Sequence, residues 1–393
     1  MFGYGLASVV LVLYLAALGL PDPVIGLLLT LTLLGDAAIS LWLTTHADRV
    51  GRRRVLFVGA LLMCLAGVGF ASSSAFPVLV LAATIGVISP SGNEVGPFLA
   101  VEQASLSQTI ADRARTRVFA WFNLTGSFAT AAGALVGGGV AGTLIATGRA
   151  PVDAYRFVIV LYACLGVVLA VLFWRVSPLV EAAQAPDVSV SRRLGLHRSR
   201  SIVARLSALF ALDAFGGGLV VQSLVAYWFH LRFGADVAVL GAVFFGANLL
   251  AGISALAAAR IAERIGLVRT MVFTHLPSNV LLVAVPLMPT LPLAIIVLLA
   301  RFSISQMDVP TRQSYTMAVV DPDERSAAAG VTGIARSLGA SVSPLIAAPL
   351  FGVASLAAVP FFLAGGLKIG YDILLYRGFR SLRPEHEGNG QEA

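Results

Sequence analysis

Thr44-Thr45-His46-Ala47-Asp48-Arg49-Val50-Gly51-Arg52-Arg53-Arg54 sets five charged residues in seven positions between two long apolar runs. Gly51 permits the tight turn that reverses the chain. Four arginines suit a turn held against an anionic lipid leaflet. Asp48 can cap a neighbouring helix N-terminus, where an anion gains roughly 0.3–1 kcal/mol. The flanking runs, near 23–46 and 54–72, each reach the roughly 20 residues that span a bilayer. The stretch therefore reads as a turn between two membrane-crossing helices.

The rest of the chain follows the same pattern. Of its 393 residues, 58% are hydrophobic and 12% charged, where a soluble chain carries about 25% charged residues. The mean hydropathy is +0.89. A soluble enzyme, a disordered chain and a disulfide-stapled secreted domain are excluded. Twelve helices are expected, near 3–20, 23–46, 54–72, 76–105, 116–147, 154–177, 203–230, 236–261, 269–287, 291–319, 325–350 and 355–377. Only one connection is long and polar, and it follows the sixth span. The expected organisation is an all-α polytopic membrane protein. A six-helix bundle spans 1–177, a cytoplasmic loop 178–202, a second bundle 203–378 and a cytoplasmic tail 379–393. Cys64 and Cys164 fall in apolar runs and read as small hydrophobes, and no cleaved leader is expected ahead of the first span.

Charge placement gives the orientation. Of 27 Lys and Arg residues, Arg149, Arg156 and Arg232 fall on one side and Arg301, Arg312, Arg336 and Lys368 inside spans. The other twenty lie on the opposite side, which the positive-inside rule makes cytoplasmic. Both termini are expected there, in a cell (inner) membrane. The net charge of +7 is thus explained by topology, and no nucleic-acid partner is expected.

The two halves echo each other. Asp48-Arg49-Val50-Gly51 ends the second span and Glu263-Arg264-Ile265-Gly266 the eighth, 215 residues later. At an offset of 210, Gln103 and Arg115 fall opposite Gln313 and Arg325. Parallel repeats of this kind belong to transporters whose binding site lies between the halves. The segment Thr44–Arg54 also resembles the signature between helices two and three of the major facilitator superfamily, through Asp48, Arg49, Gly51, Arg52 and Arg53. Thr44 stands where that signature has its first glycine. The resemblance implies that helices one, four, seven and ten line a cavity. It also implies that Asp48 caps the eleventh helix near Glu324 as part of a gate, with Glu263, Arg264 and Gly266 as the second copy. The glycine series of the fifth span, Gly126 to Gly142, is loosely similar to the antiporter signature of that family but lacks its Gly-Pro step.

A charge inside a span costs several kcal/mol and normally faces a cavity or a partner. On the tenth helix Arg301, Ser305, Asp308 and Arg312 share one face at spacings of 4, 3 and 4, beside Gln306 and a kink-forming Pro310. The fourth helix carries Asn93, Glu94, Phe98 and Glu102, interrupted by Pro90, Gly92 and Pro97. Glu102 falls opposite Arg312 at the 210 offset. The two form either a latch between the halves or charges each neutralised within its own half. A carboxyl group withdrawn from water holds a proton more readily, which makes Asp36, Glu94, Asp213 and Asp308 proton-coupling candidates. Arg336 can instead keep one of them ionised. Lys368 and Asp372, one helical turn apart, read as a self-neutralising structural pair. His46, His197, His230, His275 and His386 are dispersed, and no metal site or cofactor is expected.

These features point to a secondary transporter, not an enzyme, working by alternating access and driven by the proton gradient. Substrate contacts are expected from Asn93, Phe98, Gln222, Tyr227, Arg301, Gln306 and Arg336. Export of a small organic or amphipathic compound comes first. Uptake of a small polar or anionic solute by symport or uniport is the alternative, and a non-transporting receptor or membrane enzyme the remote one. The chain is expected to act as a monomer.

Overall fold

The computed structural model describes residues 1–92, 98–109, 112–177, 180–181, 196–321 and 324–379. Among them every regular element is helical. The helices are α1 (Phe2–Ala17), α2 (Asp22–Val50), α3 (Arg52–Ser72), α4 (Phe76–Ile85), α5 (Phe98–Thr109), α6 (Asp112–Ala146), α7 (Pro151–Trp174), α8 (Arg200–Gly218), α9 (Gln222–Phe233), α10 (Val237–Ile265), α11 (Leu267–Ala284), α12 (Leu291–Phe302), α13 (Asp308–Ala318), α14 (Arg325–Gly352) and α15 (Val359–Phe379). Among the described residues nine helical stretches are long and apolar enough to cross a membrane. The protein is a multi-pass membrane protein.

The expected fourth, seventh and tenth spans are each two helices. In the seventh, α8 ends in Gly216-Gly217-Gly218, where backbone freedom weakens the helix. Val221 is extended before α9 begins. In the tenth, α12 ends at Phe302 and the chain turns through 303–307. Pro310 therefore lies in the first turn of α13, where a proline needs no hydrogen-bond partner. The break precedes the proline instead of falling on it.

The repeated turn is visible in the backbone. Gly51 has φ +104° and Gly266 φ +85°, a region other residues enter at a cost. The N–H of Gly51 donates to the carbonyl of Ala47, and that of Gly266 to Ala262, both at 2.9 Å. Each glycine thereby ends one helix and starts the next.

Contacts divide the chain into two compact units. The first comprises Met1–Pro186, Val221–Asn248 and Pro344–Ala357, and the second Asp187–Val220, Leu249–Ser343 and Ala358–Ala393. In the first, α3 packs on α7 and α1 on α6, α7 and α9. In the second, α15 packs on α11 and α8, and α13 on α11. Its apolar core gathers Leu206, Phe210, Met271, Tyr315, Tyr371 and Leu375.

Candidate functional site

Beside that core lies a cluster of buried ions. Asp213 of α8 is its centre. Lys368 Nζ lies 2.6 Å from Asp213 Oδ1, Arg312 Nη1 3.3 Å and Arg336 Nη1 3.5 Å from Oδ2, and His275 Nε2 3.7 Å from Oδ1. These partners come from α15, α13, α14 and α11. An isolated carboxylate here would cost several kcal/mol, and only such partners make its ionised form tolerable. His275 then reaches a second carboxylate: its Nδ1 lies 2.8 Å from Asp372 Oδ1, and Asn279 Nδ2 donates to Asp372 Oδ2 at 3.0 Å. One imidazole ring thus stands between two buried acids.

Arg312 donates to Asp308 at 2.8 Å, one helical turn away, and its guanidinium stacks over Phe210 at 5.5 Å. Its partners here lie within its own unit. Arg301 is in electrostatic reach of Asp213 and Asp308 and lies over the ring of Phe302 at 5.0 Å. Lys368 and Asp372, expected to neutralise each other, each take partners on another helix. Both point into the bundle, where an acid on α8 and a histidine on α11 offer shorter contacts.

Asp213, Asp308, Arg301, Arg312 and Arg336 are therefore brought together in the second unit. In the first unit, Gln222 Nε2 donates to Ser8 Oγ at 2.7 Å and Gln222 Oε1 accepts from Asn248 Nδ2 at 3.1 Å. The N–H of Ser223 donates to the carbonyl of Pro90 at 3.1 Å, and the Tyr227 hydroxyl donates to Asp22 at 2.9 Å. These bonds knit the start of α9 to α1, α2 and the broken fourth span. Phe98 stacks on Phe173 at 5.7 Å. With Glu102, Tyr4 and Trp121 it lines a cavity of about 440 Å³ in the first unit. Asp36 accepts from Ser40 at 3.3 Å. Gln306, half-buried, sits in the turn between α12 and α13. Asn93 and Glu94 lie outside the described residues, as do the side chains of Asp48 and Arg49.

Two carboxylates cap helices at the charged turns. Glu181 accepts from the N–H groups of Arg52 at 2.7 Å and Arg53 at 3.4 Å, at the start of α3. Arg53 also stacks over Trp174 at 5.4 Å. Glu324 accepts from the N–H groups of His197, of Arg198 at 2.8 Å and of Ser199 at 2.8 Å, just ahead of α8. Burial works to raise its pKa, but these backbone donors prevail and hold it at about 2. Glu263 and Arg264 are exposed at the end of α10.

Sequence reasoning missed His275, Asn279, Glu181 and the structural use of Gln222 and Tyr227. For His275 a signal was present: it and Asn279 are one turn apart inside an otherwise apolar span.

Comparison with known proteins supplies the family. The chain is 30% identical over 407 residues to the uncharacterized membrane protein YJR124C of Saccharomyces cerevisiae, covering 95% of this chain and 90% of that protein. Its fold matches the crystal structure of a D-xylose-proton symporter at TM-score 0.72 and 14% identity, over 96% of this chain and 94% of the other. It matches the nucleoside transporter NupG equally well, at TM-score 0.72 and 12% identity, over 96% and 97% of the two chains. The family model of the Major Facilitator Superfamily matches residues 1–344. With its helical membrane architecture and repeated glycine turns, the chain belongs to the Major Facilitator Superfamily and is a transporter, not an enzyme.

Proposed function

We propose that this transporter couples the movement of a small solute to protons through Asp213, His275 and Asp372. The observation that carries this reading is the imidazole between two buried carboxylates, one of them the shared partner of Lys368, Arg312 and Arg336. A proton on His275 can pass to either acid. Once on Asp213, it removes the negative charge that gathers cations from α13, α14 and α15. Breaking a buried pair costs about 3–5 kcal/mol when nothing replaces it, whereas one pH unit of gradient supplies about 1.4 kcal/mol per proton. The released cations must therefore find another partner in the same step, and a bound solute is the natural one. Asp36 and Asp308 are secondary coupling candidates, since Ser40 and Arg312 already engage them. Glu94 keeps its place from the sequence alone.

Two directions suit such a centre. Antiport, hence export, follows from the apolar character of the cavity positions. Symport is favoured by the cationic surplus among the buried groups. Cytoplasmic termini, a cell-membrane location and monomeric action complete the proposal, the first resting on the distribution of arginine.

The test begins by identifying a substrate from metabolite differences between cells with and without the protein. Flux is then followed in proteoliposomes under an imposed pH gradient. Wild type should accumulate substrate uphill, in a direction that reverses with the gradient. Asp213→Asn should retain at most downhill exchange, and His275→Gln should lose uphill transport. Gradient-driven accumulation by both variants would overturn the coupling assignment.

A further inference from the structure

The buried ions of the second unit do not balance. Arg301, Arg312, Arg336 and Lys368 are four cations, and Asp213, Asp308 and Asp372 are three carboxylates, so with His275 uncharged one positive charge is in excess among the described residues. A surplus charge within a membrane span favours a counter-ion.

The surplus has a definite address. The side chains of Asp213, Asp308, Arg312 and Lys368 are at most 8% exposed, but that of Arg336 is 36% exposed. Arg336 is thus the member a solute can reach. Its inner nitrogen, Nη1, lies 3.5 Å from Asp213 yet makes no hydrogen bond. Other buried polar atoms without hydrogen-bond partners among the described residues include Arg301 Nε and, in the turn that follows α12, Ser305 Oγ. Arg336 thus approaches Asp213 directly, and Arg301 lies in electrostatic reach of both Asp213 and Asp308. Buried donors without acceptors are rare and each calls for an explanation.

We propose that Arg336, Arg301 and Ser305 form the binding site for an organic monoanion such as a carboxylate, which is the transported solute. This deepens the transport reading above and rests on it. One negative charge cancels the surplus, and a planar carboxylate accepts the fork of a guanidinium at two points. The turn at 303–307 presents Ser305 without a helical neighbour competing for its hydroxyl. An arriving carboxylate competes with Asp213 for Arg336, and Asp213 is the group the proton reaches.

The assignment can be tested by binding, without transport. The full chain is purified in detergent at pH 7, and its melting temperature followed as sodium acetate or sodium benzoate replaces sodium chloride at constant ionic strength. Acetamide and benzamide serve as neutral shape controls. A carboxylate should raise the melting temperature with a saturating, millimolar dependence, and the amides should not. Arg336→Gln should weaken the apparent affinity at least about tenfold, the loss of one charge-assisted contact. Should Arg336→Gln fold poorly, Ser305→Ala serves instead, with a smaller loss in affinity. Equal behaviour of carboxylate and amide on wild type overturns the site, as does a carboxylate effect untouched by both substitutions. Carboxylate binding without proton-driven flux would keep the anion site and remove the coupling reading. Proton-driven flux of a neutral solute, with no carboxylate binding, would do the reverse.

Discussion

The helix trio α1, α3 and α7 in the first unit corresponds in span order to α8, α11 and α15 in the second, and the two trios are filled with opposite materials. In the first, α3 and α7 meet through small groups: a β-carbon placed on Gly166 would lie 2.7 Å from the backbone nitrogen of Cys64, and one on Gly67 2.7 Å from the β-carbon of Ala163. The buried residues of α1 are apolar apart from Ser8 and two tyrosines. In the second trio the equivalent space holds Asp213, His275, Asn279, Lys368 and Asp372. Packing of small residues is the ordinary adhesive between membrane helices, and it needs no ions. A fold that can close one bundle with glycine and methyl groups has no structural need to fill the other with charge. The proposed coupling role accounts for the ionic filling.

The strongest way to break this comparison is to remove its ionic centre. Asp213→Ala leaves Lys368, Arg312 and Arg336 without their common anion and should cost about 3–5 kcal/mol, read as a lower unfolding temperature and less protein in the membrane. Adding Lys368→Met should recover part of that loss without restoring uphill transport. Gly166→Leu attacks the other seam by forcing α7 away from α3. Overpacking of this kind costs about 1–3 kcal/mol, and the loss should be independent of pH between 5 and 8, since no titratable group is involved. A smaller effect is expected from Ser8→Ala, which removes the acceptor of Gln222 at 2.7 Å. A neutral hydrogen bond is worth about 1 kcal/mol, so melting should shift by only a few degrees.

The last effect depends on pH and concerns Glu324, whose pKa is held at about 2 by backbone donors. A carboxylate with a lowered folded-state value stabilises the fold fully above its ordinary unfolded value, near 4.5, and that stabilisation fades as pH falls through the folded value. The difference in melting temperature between wild type and Glu324→Gln should thus be constant above about pH 5 and shrink toward pH 2. A difference that grew on acidification would contradict the cap.

Much of the fold could be read from residues alone, because lipid tolerates few alternatives to a long apolar helix. The Asp48–Arg54 turn and its echo at Glu263–Gly266 were legible because a glycine and a charge run leave local marks. The broken fourth, seventh and tenth spans were partly legible through Pro90, Gly216–Gly218 and Pro310. The partners of Asp213 were not. Lys368 is 155 positions away and Arg312 is 99, and no periodicity links a residue to one on another helix. Spacing misled at Lys368 and Asp372, since an i,i+4 relation says that two side chains share a face, not that they choose each other. Gln222 and Tyr227 were legible as polar groups in a span, but not as fasteners between helices.

Glu324 grips the amide hydrogens of three successive residues, and a peptide amide is the same whatever side chain it carries. Positions 197 to 199 are therefore free to drift in relatives of this protein, apart from the contribution of the His197 ring and the Ser199 hydroxyl. Position 324 has no such latitude: an amide at that point keeps only one of the two accepting oxygens, and a shorter acid draws both away.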